Sequence, residues 1–311
     1  MTATPRVSVL LTAYNRESYV GAAIESVLAQ TCGDFELIIC DDRSTDGTAD
    51  IVADYARREA RIRFSVNAVN LGDYENRFHA ATLAQAPYLK YHDSDDLMYP
   101  HCLAAMLEPL EREPRAAFAL SAAGYWPGGA CPMLLTPQLA YEREFLGSGL
   151  FQLGPASALF RTSAFRELGG FPRCGPPSDF LFWIKACAKV NVLLVSGDLY
   201  YYRVHAGQVV VEGTTGSSAT PFDLAFANAS AAAWAMLNSA ECPLRGAALD
   251  QAKRNFLFTQ VRGAFRQARR GRVAAAATTL KLLKVTPADW ARYLRRPRRS
   301  PFAGTPIEAQ G

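Results

Sequence analysis

Long apolar runs are missing from this chain of 311 residues. Val7–Ala13 is too short for the flanks and core of a signal peptide, and Ala225–Leu237, mostly alanine, is also short. A membrane-spanning helix needs about 20 apolar residues. The expectation is a soluble protein. Paired cysteines are missing too. The seven cysteines, at 32, 40, 102, 131, 174, 187 and 242, are odd in number and never spaced as CxxC. That excludes a disulfide framework and a zinc site, and leaves buried reduced thiols in a cytoplasmic protein. No GxGxxG follows the first apolar strand, which argues against a dinucleotide-binding dehydrogenase. Internal repeats and low-complexity stretches are absent, with glycine and proline at ordinary levels.

What is present suits one sizeable domain with an appendage, since half the residues are apolar. The net charge of +4 hides an asymmetry: residues 262–299 carry twelve Lys or Arg against one acid, Asp289, so the rest of the chain is acidic. Short apolar runs at 7–13, 35–40, 61–66 and 88–92 alternate with amphipathic stretches such as 18–30, where Val20, Ala23, Ile24, Val27 and Leu28 share a face. This alternation predicts a doubly wound, mostly parallel α/β sheet. Further helices are expected at 101–110, 163–168 and 179–190, and strands at 117–122, 191–195 and 199–204. The stretch from the 117–122 strand to residue 155 reads as loop, and only helices are expected after about 222. The domains expected are 1–215, with a first half to 98 and a second from 99, and a helical basic extension over 216–311.

In such sheets ligands bind beyond the carboxyl ends of the strands. Three strand ends carry polar clusters: Thr12–Asn15, Asp41-Asp42 and Asp93-Ser-Asp-Asp96. Three carboxylates within four residues repel one another unless a cation is near. Oxygen ligands suit Mg2+ or Mn2+, which typically binds one or two carboxylates plus substrate phosphates. A solvated acidic turn is the plainer alternative. Asp41-Asp42 leaves a similar choice: a hydrogen bond to a nucleobase, or a cap on the helix that follows.

Together these segments resemble family 2 of the inverting glycosyltransferases, which have the GT-A fold, over residues 7 to about 207. The carriers are Val7-Ser-Val-Leu-Leu-Thr-Ala-Tyr-Asn15, Glu25-Ser-Val-Leu-Ala-Gln-Thr31, Glu36-Leu-Ile-Ile-Cys-Asp-Asp-Arg-Ser-Thr-Asp-Gly-Thr48, Asn70-Leu-Gly72, Arg77 and Asp93-Ser-Asp-Asp96, in that order and spacing. The resemblance implies transfer of a sugar from a UDP-sugar or dTDP-sugar to an acceptor hydroxyl, with Mn2+ or Mg2+, in cell-surface polysaccharide or glycoconjugate synthesis. It implies a base pocket from Thr12, Ala13, Tyr14 and Asn15, with Asp42 or Asp41 reading the base edge. Asn70, Gly72, Arg77, Asp93, Ser94 and Asp95 would add nucleotide contacts. Asp95 or Asp96 would bind the metal. Phe78 and His79 depart from the family, which often has asparagine after the arginine, so the donor-sugar side should be unusual.

The family's general base is an acid at the start of a late helix, which maps onto Asp179 in Pro177-Ser-Asp-Phe-Leu-Phe-Trp183. The alternative is a helix N-cap. Tyr202-Arg-Val-His205 resembles the late Tyr-Arg-x-His element, so Arg203 would hold the diphosphate and His205 would complete the metal shell, unless it is a satisfied buried histidine. Gly154-Pro-Ala-Ser157 resembles the acceptor wall, giving Ser157 and Trp183 as acceptor residues. Aromatics at helical spacing are otherwise core. The acceptor expected is a sugar, a lipid-linked molecule or a small molecule, not a nucleic acid. The basic segment 262–299 has two readings: peripheral contact with the inner face of the cell membrane, or a solvated helical face packed within the protein or on a second subunit. The rival functions are a sugar nucleotidyltransferase, disfavoured because Tyr14-Asn-Arg-Glu17 lacks a glycine- and lysine-rich phosphate loop, and a non-catalytic nucleotide-sugar-binding protein.

Overall fold

A computed structural model describes residues 5–122, 131–175, 177–205 and 221–286. The described residues fall into two compact units, one within Met1–Ala140 and Phe151–Glu212, the other within Tyr141–Leu150 and Gly213–Gly311.

The first unit begins with β1 (Val7–Ala13), α1 (Val20–Leu28), β2 (Phe35–Asp41), α2 (Thr48–Arg58), β3 (Ile62–Val66), α3 (Asp73–Leu83) and β4 (Tyr88–Asp93). All seven residues of β1 and of β2 are buried, as strands covered on both faces must be. Val20, Ala23, Ile24 and Val27 of α1 are fully buried against them. Then come β5 (Leu97–Met98), α4 (Cys102–Arg112), β6 (Ala116–Ser121), β7 (Met133–Leu135), α5 (Pro137–Leu146), which from Tyr141 on belongs to the second unit, β8 (Ala158–Arg161), α6 (Thr162–Glu167), α7 (Ser178–Ala186), β9 (Asn191–Val195) and β10 (Tyr200–Tyr201).

Eight strands form one sheet in the order β3-β2-β1-β4-β8-β6-β9-β7. The first four are parallel, whereas β8 is antiparallel to both β4 and β6. The expected loop before residue 155 therefore holds β7 and α5, and a central strand, β8, follows it. The cause is length: β7 has three residues and β8 four, too few to show a period. The expected strand at 199–204 shrinks to Tyr200–Tyr201, paired antiparallel with β5 in a separate two-stranded ladder. That ladder sets the chain after Tyr201 beside the chain before Leu97.

In the second unit α8 (Pro221–Leu237), α9 (Gly246–Arg269) and α10 (Val273–Leu282) follow one another. Val261 and Ala264 of α9 pack on Ala276 and Leu280 of α10. Asp223 and Arg272 form an ion pair, and Trp234 stacks on Phe256 at 6.0 Å. Leu280 and Leu283 are buried, so these two apolar residues of the basic segment are spent inside the protein and do not face a membrane. Trp290, Tyr293 and Leu294 lie outside the described residues. No helix among the described residues is long and apolar enough to cross a membrane.

Candidate active site

In-register pairing aligns the carboxyl ends of three parallel strands. Thr12 lies between Cys40 and Asp93, and Ala13 pairs with Asp41. β1 sends one connection to β2 and the sheet continues on its other side with β4, so a crevice opens beyond their ends. It is a cleft of about 370 Å³, within the usual size of small-molecule sites. Thr12, Ala13, Tyr14, Asp42, Asn70, Gly72, Arg77, Asp93, Ser94 and Asp95 line it. So do four residues the sequence reading did not single out: Arg16, Asp73, Asn76 and Tyr202. Arg16 directly follows the Thr12–Asn15 cluster and Tyr202 opens the Tyr-Arg-x-His element, so their neighbours were the available signal. Asp73 and Asn76 flank Arg77 on one turn of α3, where only fold geometry aims them.

The cleft is built on spent carboxylates. Asp42 is 2% exposed. Its Oδ1 accepts from Asn67 Nδ2 and the Leu71 N–H, each at 2.8 Å, and its Oδ2 from the Gly72 N–H at 2.8 Å. Asp42 thus fixes the 70–72 turn, where Gly72 adopts φ +89, a conformation costly for residues with a Cβ. Asp41 is fully buried, and its carboxylate accepts from the Ser44 N–H at 2.8 Å and the Ser44 hydroxyl at 2.5 Å. It therefore belongs to the turn and cannot read a base edge. Asn15 is also turned away from the cleft lining. It sits at φ 52 and its Oδ1 accepts from the Thr45 N–H at 2.8 Å. The Glu17 carboxylate accepts from the Gly47 N–H at 2.8 Å, and Asp46 from the Glu17 N–H at 3.1 Å. These reciprocal bonds zip the loops after β1 and β2 together and hold Tyr14 and Arg16 at the rim.

Arg77 spans the floor. Its Nη2 donates to Asp93 and its Nε to Asp73, both at 2.7 Å. Burial alone would raise the Asp93 carboxyl, but the Arg77 charge and hydrogen bond hold it below the ordinary carboxylate range. Asp95 Oδ2 accepts from Arg16 Nε at 3.1 Å and faces His205 Nε2 at 3.0 Å. The chain after β10 supplies that histidine. Its ring packs tilted against Tyr19 at 4.5 Å, with the Arg203 guanidinium over the same tyrosine at 5.2 Å. Arg203 Nε donates to the Asp95 carbonyl at 2.8 Å.

Asp96 points elsewhere. It is 1% exposed, its Oδ1 accepts the Arg203 N–H at 3.0 Å, and its Oδ2 is buried without a partner. Burial, with Asp93 close by, pushes its carboxyl up to about 7. One Asp96 oxygen is committed to the Arg203 backbone and Asp96 is not among the cleft-lining residues, which sets it apart from Asp95, the other expected metal ligand of this turn.

Asp179 is not among the cleft-lining residues but is tied to its Arg77 end. Its N–H donates to the Tyr74 hydroxyl at 3.3 Å, and the Arg77 guanidinium lies 5.7 Å over the Tyr74 ring. Burial raises the Asp179 carboxyl above the ordinary aspartate value, partly offset by its bond from the Phe180 N–H and by the Arg77 charge. His92, beneath the acidic turn, is pushed by burial down to about 4 and stays neutral.

Two acceptor assignments are overturned. Trp183 is fully buried, its indole N–H donates to the Leu153 carbonyl at 2.7 Å, and its ring stacks on Phe160 at 5.9 Å. It cannot stack on a ligand. Ser157 is also fully buried, its hydroxyl donating to the Gly154 carbonyl at 2.5 Å. Trp183→Ala should therefore cost about 3–5 kcal/mol of stability, as large aromatic deletions in cores do. Denaturant unfolding checks this; a loss below about 1 kcal/mol would contradict a core role.

A divalent ion fits part of this arrangement. Asp95 Oδ2 and His205 Nε2, 3.0 Å apart, have the spacing of neighbouring ligands on an ion held at about 2.1 Å. Among the described residues no cluster of three or more His, Cys, Asp or Glu could hold a metal. The protein would thus give two ligands and leave the rest to phosphate and water.

Comparison with known proteins bears on the family and the fold. The family model described as Glycosyl transferase family 2 matches residues 8–169. EpsE of Bacillus subtilis (strain 168) is 37% identical over 113 residues, 36% of this chain and 41% of that protein. The chain thus spans less than half the length of that relative. WfaP of Escherichia coli, a UDP-Glc:alpha-D-GlcNAc-diphosphoundecaprenol beta-1,3-glucosyltransferase, is 28% identical over 220 residues, 65% of this chain and 79% of that one. Residues 1-349 of S. aureus TarS, solved in complex with UDP-GlcNAc, superpose with a TM-score of 0.62 and 21% identity over 93% of this chain and 79% of that one. The likeness is one of fold, the mixed α/β sheet of GT-A type.

Proposed function

Because the chain belongs to glycosyl transferase family 2, we propose that it transfers a sugar from a UDP-sugar, with inversion, to the hydroxyl of a sugar, lipid-linked or small-molecule acceptor. The observation that carries this is the cleft itself: Asp42, Asp93 and Asp95, from the ends of the two strands that flank β1, line one space beside Arg16, Arg77 and Tyr202. WfaP, named for a UDP-Glc donor and a lipid-diphosphate acceptor, supports the donor class and a lipid-linked acceptor.

In this reading Tyr14 and Tyr202, both about half exposed at the cleft, flank the base. The 70–72 turn, fixed by Asp42, shapes the pocket floor. Arg203 and His205 face the diphosphate, where positive charge stabilises the departing nucleotide. Asp95 and His205 hold Mn2+ or Mg2+, which when bound neutralises the diphosphate. Asp179 accepts the proton of the acceptor hydroxyl as it attacks the anomeric carbon. A raised carboxyl suits a base working near neutral pH.

A thermal-shift series with nucleoside diphosphates, with and without Mn2+, tests the donor site. UDP with Mn2+ at a hundredfold excess over Kd should stabilise the fold by about 2.7 kcal/mol, a rise of several degrees. UDP alone should do much less. No response to any nucleotide would end the reading; equal shifts with and without metal would remove the ion from it.

A further inference from the structure

The acidic turn contains one carboxylate that the donor site does not use. Asp95 lines the cleft, whereas the next residue, Asp96, is buried and accepts the Arg203 N–H at 3.0 Å. We propose that Asp96 is a positioning residue: its carboxylate clips the strap Tyr200–His205 onto the end of β4, and so sets Arg203 and His205 at the diphosphate side of the cleft. This rests on the donor-site reading above.

Three observations carry it. First, the strap has little regular structure of its own. Only Tyr200 and Tyr201 pair, with Met98 and Leu97, and Tyr202 to His205 belong to no helix or strand. A two-residue ladder leaves the following backbone groups to find other partners. Second, the Asp96 bond falls on Arg203, two residues beyond the ladder, and the Arg203 side chain bonds back to the Asp95 carbonyl at 2.8 Å. The two bonds join the same pair of segments reciprocally, a side chain from each to the backbone of the other, and tie the strap down at Arg203. Third, His205 meets Asp95 at 3.0 Å and Tyr19 at 4.5 Å, contacts that require the strap in this register. The neighbouring carboxylates thus divide the work: Asp95 faces the ligand, and Asp96 holds the chain that brings the second set of ligand-facing groups.

Substitution separates this role from metal ligation. Asn at position 96 keeps an oxygen for the Arg203 N–H, whereas Ala removes it. Hydrogen–deuterium exchange followed by peptide mapping should show the 200–205 amides exchanging about tenfold faster in Asp96→Ala, and within about threefold of wild type in Asp96→Asn. UDP affinity in Mn2+ should fall about tenfold in Asp96→Ala and stay within about threefold in Asp96→Asn. Unchanged exchange in the alanine variant would overturn the clip. An asparagine variant that loses Mn2+-dependent UDP affinity as alanine does would make Asp96 a ligand instead, and it decides the matter alone should the alanine variant not fold. The exchange measurement needs no substrate, so it stands even if UDP proves not to be the donor nucleotide.

Discussion

Asp179→Asn should lower kcat by about 10²–10⁴-fold, the usual contribution of a positioned general base, while the melting temperature should stay unchanged or rise. The direction of the stability change follows from burial, which raises the Asp179 carboxyl in the folded state. A folded-state pKa above the unfolded value of about 3.9 means that the fold prefers the protonated form. The ionised carboxylate then costs stability above the folded pKa, and the cost fades as pH falls toward the unfolded value. Asparagine removes it and still accepts the Phe180 N–H, now made at 2.8 Å. Wild-type kcat should fall as acid protonates Asp179, with the midpoint above that of an ordinary aspartate. Steady-state rates from pH 5 to 9, with melting curves on the same samples, check both. A variant retaining a third of wild-type kcat would leave Asp179 as an ordinary residue of the first turn of α7.

Asp95→Asn gives the second large effect. Its Oδ2 is the atom shared by Arg16 and His205, so a neutral amide should weaken the proposed cation site while the loops around it keep their own bonds. Transfer efficiency, kcat/KM, should drop at least about a hundredfold, equivalent to about 2.7 kcal/mol of transition-state stabilisation. The Mn2+-dependent part of the UDP thermal shift should vanish, with the melting temperature of the ligand-free protein within a few degrees of wild type. A full metal-dependent shift in this variant would show that the ion is held elsewhere.

The cleft end of the sheet was legible because one-dimensional patterns report it. Fully buried strands such as β1 and β2 are mostly apolar runs, and they end at or next to residues that line the cleft. Legibility failed where side chains choose between neighbours. Asp41 and Asp42 are adjacent and chemically identical, yet one caps the Ser44 turn and the other fixes 70–72; strand alternation decides this, and a base-binding motif does not encode it. Asp95 and Asp96 divide in the same way. Trp183 matched a pattern that left both core and ligand-stacking roles open, and only its burial among Phe160, Phe171 and Phe182 separates them. The antiparallel strand β8 was missed because four residues between a tight turn and a helix carry no period of their own.

The ladder joining Leu97–Met98 to Tyr200–Tyr201 sets a rule for divergence. Residues 99–199 leave from and return to one point, so a loop between the strands and helices of that stretch can lengthen at a closure cost that grows only logarithmically. Loops within that excursion can be traded for others, and the substrate they meet can change, while the separation between the acidic turn and the imidazole stays fixed. Innovation in this scaffold is thereby steered into the excursion and away from the two short segments that anchor it.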